Sequence, residues 1–147
     1  MNRETIKQVI GVGEPYLWLD EVIQINDNRI HARKFLDPNL DIFKSHYVDF
    51  PLFPGSLQCE ATFQASAVLI AQTHPVTAGH IPVIARVRNT KFRKMARPGD
   101  TLDIIVEIED QVGSAFTLKG HVSVAGATTT ELIFIATEAP APTIIAS

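Results

Sequence analysis

The chain holds one cysteine, Cys59, and that scarcity removes several possibilities. An internal disulfide needs two cysteines, and a cysteine-rich zinc site needs more. No apolar run approaches the roughly 20 residues that span a bilayer. The opening residues, Met1-Asn2-Arg3-Glu4-Thr5-Ile6-Lys7, lack the apolar stretch of a secretory leader. The expectation is therefore a reducing, cytoplasmic setting with no membrane part. No phosphate-cradling Gly-rich loop or dinucleotide fingerprint is present. No Gly-x-Ser-x-Gly elbow marks a serine hydrolase. Histidines and acids do not recur in threes at metal-ligand spacing.

What remains suits one domain over residues 1–147, with a tail after about residue 138 expected to be loose. The 147 residues are 46% apolar, enough for a real core, and the net charge of −3 does not suggest nucleic acid. Positive charge is nonetheless uneven. Arg86, Arg88, Lys91, Arg93, Lys94 and Arg97 are six of the thirteen Lys and Arg residues, with no acid among them. Such a run fits an anionic partner met at one face, or equally a solvated strand edge protected from aggregation.

Hydrophobic spacing divides the chain. Residues 3–10 carry weak helical spacing through Ile6, Val9 and Ile10, stopped by Gly11, Gly13 and Pro15. Residues 19–25 and 29–36 alternate around Asn26-Asp27-Asn28, which predicts a hairpin. Residues 56–73 form the strong helix: Leu57, Ala61, Gln64, Ala65, Val68 and Leu69 recur at three- and four-residue steps. Nearly free of charge, it should be buried on most sides. Residues 81–92, 101–109, 116–124 and 129–137 read as strands joined by short turns, which predicts an antiparallel meander. The architecture is then α+β, an antiparallel sheet curled around one long central helix. The flank and edge left open predict pairing of two copies.

Chemistry concentrates between His46 and Glu60. Pro51 and Pro54 stiffen the loop after His46, which can hold an imidazole in place as a base. Glu60 falls in the opening turns of the helix among Leu57, Cys59, Ala61 and Phe63, where desolvation should raise its pKa against the helix dipole. A carboxyl that keeps its proton near neutral pH can serve as a general acid. Gly55 marks the helix N-terminus, whose free amides can hold a developing oxyanion. Gln64 shares the Glu60 face and either orients the carboxyl or packs. His31, His74, His80 and His121 have no acid in a comparable setting. Cys59 should point away from Glu60.

The segment resembles the motif of the 3-hydroxyacyl-[acyl-carrier-protein] dehydratases of the hotdog fold, FabZ-type with FabA-type kin: Gly-His-Phe-x-x-x-Pro-x-x-Pro-Gly-x-Leu-x-x-Glu/Asp-Ala, with Gln three after that Ala. His46, Pro51, Pro54, Gly55, Leu57, Glu60, Ala61 and Gln64 fall in register. Pro15-Tyr16-Leu17-Trp18-Leu19-Asp20-Glu21-Val22 resembles the family opening Pro-Phe-Leu-Leu-Val-Asp-Arg-Val. Lys91-Phe92-Arg93-Lys94 and Arg97-Pro98-Gly99-Asp100 resemble its Phe-Arg-x-Pro-x-x-Pro-Gly-Asp stretch. Ser45, Tyr47, Val48-Asp49 and Met95 depart from the pattern around the loop that frames the site, which bears on substrate choice.

The resemblance implies dehydration of a 3-hydroxyacyl thioester to the trans-2-enoyl thioester, in fatty acid or polyketide-type synthesis. His46 would be the base and Glu60 the acid, with Gly55, Gln64, Phe50 and Pro54 as oxyanion or substrate contacts. It implies no metal and no cofactor beyond the phosphopantetheine arm of the carrier. It also implies a homodimer, or a trimer of dimers, in which His46 of one chain faces Glu60 of the other. Arg88, Lys91, Arg93, Lys94 and Arg97 would then dock the acidic carrier. The rivals are a hotdog thioesterase, a dehydratase that also isomerises, and a non-catalytic carrier-binding subunit.

Overall fold

A computed structural model describes residues 1–142. Helix α1 (Arg3–Ile10) starts where the Asn2 side chain accepts the Thr5 amide at 2.9 Å and ends at Gly11, in the left-handed region at φ 69°. Strands β1 (Glu21–Ile25) and β2 (Arg29–Phe35) form the expected hairpin, turned where Asn26 Oδ1 accepts the Asn28 amide. A 3-10 turn over Asp41–Lys44, not legible in the spacing, leads to helix α2 (Gly55–Thr73). Strands β3 (His80–Phe92), β4 (Thr101–Val112), β5 (Ala115–Val124) and β6 (Ala127–Pro140) complete the chain. Among the described residues, no helix is long and apolar enough to cross a membrane.

All six strands form one antiparallel sheet in the order β1-β2-β4-β5-β6-β3. The expected meander therefore covers only β4, β5 and β6. Strands β3 and β4 are consecutive but lie apart: β3 pairs with β6 at the far edge, and β4 pairs with β2. The link between them is engaged elsewhere, which is why it makes no hairpin. Ala96 accepts the Phe53 amide at 2.8 Å, and Gly99 donates to Leu36 at 2.7 Å while Leu36 donates to Asp100 at 2.8 Å. The tail differs too. Ala139 and Pro140 belong to β6, opposite Ile81 and His80, and Ala141 donates to the Gly79 carbonyl at 2.7 Å. Residues 143–147 lie outside the described residues.

The sheet buries one face by simple alternation, as with Leu102, Ile104 and Val106 of β4. Helix α2 lies in the curl, and Ala61, Ala65, Val68 and Leu69 are fully buried against the sheet. Its polar residues are buried as well, and they find partners. Thr62 donates to the Cys59 carbonyl at 2.7 Å, Ser66 to the Phe63 carbonyl at 2.6 Å, and Gln58 Oε1 accepts from Thr129 and Thr130, both at 2.7 Å. At Gly120 helix and sheet pack closely: a Cβ there would lie 3.0 Å from the Thr62 Cβ and 3.0 Å from Leu132 Cδ2. Both neighbours are packed, so Gly120→Ala is expected to cost about 1–3 kcal/mol by overpacking, read as a lower denaturant midpoint with an unchanged slope.

Candidate active site

The loop before α2 is built around Phe53. Its ring is buried edge-on against Trp18, with centroids 5.2 Å apart, and against Phe43 at 6.5 Å, while its amide is bound by Ala96. A tight turn of residues 47–50 and a bond from the Leu52 amide to the His46 carbonyl at 2.8 Å hold the rest. The His46 imidazole is half-buried and fixed on two sides. Nδ1 lies 3.1 Å from the Leu52 carbonyl, which can only accept, so Nδ1 carries the hydrogen and Nε2 keeps its lone pair. The Tyr47 ring stacks on the imidazole at 4.2 Å. This is a base with its tautomer and orientation set.

Pro54 caps α2 without a side-chain hydrogen bond; its carbonyl takes the Leu57 and Gln58 amides. No protein acceptor for the Gly55 and Ser56 amides exists among the described residues. Two free N–H groups at a helix N-terminus are a ready oxyanion donor set. Glycine lets the Phe92 ring pack against the helix start: a Cβ at Gly55 would sit 2.6 Å from two of its ring carbons and would have to displace that exposed side chain. His46, Tyr47, Pro54, Gly55, Gln58 and Phe92 line one cavity of about 540 Å³.

Glu60 stands on another flank of α2. Burial pushes its carboxyl above its usual pKa, and the influence of the Tyr16 phenol opposes that rise. Tyr16 is itself raised, by burial first and then by the Glu60 charge. Gln64 does not orient Glu60. Its Oε1 accepts the Trp18 amide at 2.8 Å and its Nε2 donates to the Tyr16 carbonyl at 2.7 Å, so it clamps the opening segment to the helix. Cys59 is buried, which raises its thiol and disfavours a nucleophilic role.

Glu60, Phe63, Gln64, Ile81, Pro82 and Ile84 line a second cavity of about 480 Å³. Within a single chain, then, base and acid open into different cavities, although the sequence brackets them in one segment. Phe50 lies outside both linings, half-exposed under the Arg97 guanidinium at 5.1 Å. The basic run does not form one patch. Arg93 and Lys94 line the His46 cavity, and Arg93 also pairs with Glu131 at 2.8 Å. Lys91 faces a separate cleft with Lys119 and Glu131, and Arg88 lines neither cavity. A bulge between Arg88 and Lys91, with Asn89 at φ 52°, splits the run. Sequence reasoning gave no role to Tyr16, Gln58 or Phe92. The first and last stand inside family-like stretches, which was the available signal.

A sheet wrapped on one helix, a fixed histidine beside a helix N-terminus and a half-buried acid on that helix fit a hotdog-fold hydro-lyase class. Residues 12–132 match the family described as FabA-like domain. The sequence is 36% identical over 130 residues to the 3-hydroxyacyl-[acyl-carrier-protein] dehydratase FabZ of Erythrobacter litoralis, covering 87% of this chain and 86% of that one. It is 33% identical over 126 residues to the FabZ of Clostridium perfringens, covering 86% and 90%. The chain belongs to the FabZ-type dehydratase family within the FabA-like domains. Among solved structures, the dehydratase heterocomplex ApeI:P from Xenorhabdus doucetiae superposes with a TM-score of 0.75 at 17% identity, covering 91% of this chain and 90% of that one. A hypothetical thioesterase with coenzyme A from Streptococcus pneumoniae gives 0.65 at 14% identity, covering 84% and 88%. At those identities both establish the hotdog fold.

The raised Glu60 pKa has a stability consequence. Above the folded-state pKa the ionised carboxyl bears the burial penalty; as pH falls through that value toward the usual carboxylate range, the folded state takes up a proton and gains stability. Glu60→Gln is therefore expected to raise the melting temperature at neutral and basic pH, with the gain shrinking on acidification. Thermal unfolding of both proteins across pH checks it.

Proposed function

We propose that this dehydratase converts a 3-hydroxyacyl thioester, carried on an acyl carrier protein in the cytoplasm, to the trans-2-enoyl thioester and water. His46 Nε2 removes a proton from C2. The Gly55 amide holds the thioester oxygen as negative charge develops there. Glu60, protonated, gives its proton to the departing 3-hydroxyl, and the C2 electron pair forms the double bond as water leaves. His46 then holds one proton and Glu60 is a carboxylate; transfer of that proton back through solvent resets both. Each step uses a side chain or a backbone amide, so the reading calls for neither metal nor cofactor beyond the carrier's own arm.

The observation that carries this reading is the fixed tautomer of His46 beside the free Gly55 amide, set against a burial-raised Glu60 that opens elsewhere. Base and acid must then come from two copies. The Glu60 cavity is walled by Ile81, Pro82 and Ile84 of the edge strand β3, and Ile81, Ile84 and Val87 leave apolar surface exposed along that edge. A second copy covering β3 would bring its own His46 loop toward Glu60 and bury that surface. We read the assembly as a homodimer on this ground, alone or repeated as a trimer of dimers.

Carrier docking falls to Arg93 and Lys94, which line the His46 cavity, and to Arg97, which lies over the half-exposed Phe50 ring. Lys94→Glu together with Arg97→Glu is expected to raise KM for a carrier-bound substrate about tenfold, the size of a lost charge pair or two, and to leave turnover of the same acyl group on free pantetheine unchanged. Mass spectrometry of a 3-hydroxyacyl carrier thioester tests the reaction itself. Loss of one water with wild type, abolished in His46→Ala and in Glu60→Gln, is expected. Release of free acid and carrier thiol would instead mark a thioesterase.

A further inference from the structure

The Gln58 amide is anchored at one end and free at the other. The residue is only 2% exposed. Its Oε1 accepts from the Thr129 and Thr130 hydroxyls of β6, both at 2.7 Å. Thr130 is fully buried and has no other acceptor among the described residues, whereas Thr129 also reaches the Val122 carbonyl at 3.1 Å. Turning the amide over would set its NH2 against the Thr130 proton, so the oxygen stays with the threonines. Nε2 then carries two hydrogens and has no protein acceptor among the described residues. It is not sealed in: the one enclosed side-chain nitrogen or oxygen without a partner among those residues is Trp18 Nε1. The little surface that Gln58 keeps opens into the cavity it lines with His46 and Gly55.

Gln58 follows Gly55 by three residues, so its side chain and the free Gly55 amide share one helix face. The cavity around them favours an acceptor that carries negative charge. No carboxylate lines it, Arg93 and Lys94 stand in its wall, and the start of α2 adds its positive end. A buried donor without an acceptor is costly, and no group of the wall supplies one. We propose that Gln58 Nε2 is a second donor to the thioester oxygen, beside the Gly55 amide. The inference rests on the dehydratase reading and adds a side chain to its backbone donor. As His46 takes the C2 proton, electron density moves onto the thioester oxygen, where both donors meet it. As the 3-hydroxyl leaves with the Glu60 proton, that density returns to form the C2–C3 double bond. Thr129 and Thr130 touch no substrate; they hold the amide in place before charge develops, so it need not reorient during the reaction.

Gln58→Leu removes the donor with little change of bulk. It also strands the Thr130 proton, so a double variant, Gln58→Leu with Thr130→Val, replaces both partners by apolar groups and recovers the lost stability. Melting temperature is measured for wild type and both variants, with kcat and KM on a carrier-bound 3-hydroxyacyl thioester. A saturated acyl carrier thioester labelled with carbon-13 at C1, which cannot lose water, gives the infrared stretch of the bound carbonyl. Loss of one oxyanion donor predicts a kcat lower by about a hundredfold in both variants, with KM changed far less. The carbonyl stretch, lowered in wild type by the Gln58 bond, moves to higher frequency in both. A double variant with wild-type melting and wild-type kcat overturns the proposal, and so does an unmoved carbonyl stretch. Free acid released from the 3-hydroxyacyl substrate by wild type overturns the dehydratase reading instead; the infrared arm, which needs no turnover, still decides whether Gln58 meets the carbonyl.

Discussion

Helix α2 cannot face water on most of its circumference, and the rest of the structure answers to that constraint. Nineteen residues carry a single charge, Glu60, and ten of them are buried. A flat sheet could cover one side only. The sheet therefore curls, and the chain sends β3 to the far edge rather than back beside β4, which extends cover around the helix. Gly120 permits a close approach, and the paired threonines of β6 satisfy the Gln58 oxygen where a polar group is drawn under the helix. What the one chain leaves uncovered is the flank bearing Glu60, next to an edge strand with exposed isoleucines and valine.

The same constraint divides the chemistry. The helix N-terminus emerges from the curl beside the His46 loop, so oxyanion donors and base share a cavity. Glu60, five residues on, has rotated to another flank and opens beside β3. Burial there raises the pKa of its carboxyl, the direction that the proposed role as a proton donor needs. In the proposed assembly the uncovered flank serves two ends: it is the surface that a second copy would cover, and it is where the acid would meet that copy's base.

Much of this was legible in the residues. The alternation of β4 and the three- and four-residue spacing of α2 gave the layers, and the prolines between His46 and Glu60 gave the stiff loop. Three features were not legible, each for a physical reason. Strand neighbours are set by three-dimensional cover, so the turn at Arg97-Pro98-Gly99-Asp100 looked like a hairpin while its Gly99 amide and Asp100 carbonyl bind Leu36, and the Phe53 amide donates to Ala96. Gln64 sits in register with the acid and yet spends both ends of its amide on the backbone of Tyr16 and Trp18, a contact across 46 and 48 residues that no local pattern encodes. The basic run reads as continuous until the bulge at Asn89 sends Lys91 to a different cleft from Arg93 and Lys94.

The central claim is that one active site is assembled from His46 of one copy and Glu60 of another. Mixing two inactive proteins tests it most directly. His46→Ala and Glu60→Gln are unfolded together or exchanged in mild denaturant, refolded and assayed for dehydration. A site shared between copies predicts that about a quarter of wild-type activity returns, because half the dimers are mixed and each mixed dimer holds one intact site. No recovery, with mixed dimers demonstrated by mass spectrometry, would contradict the account and return both residues to a single chain.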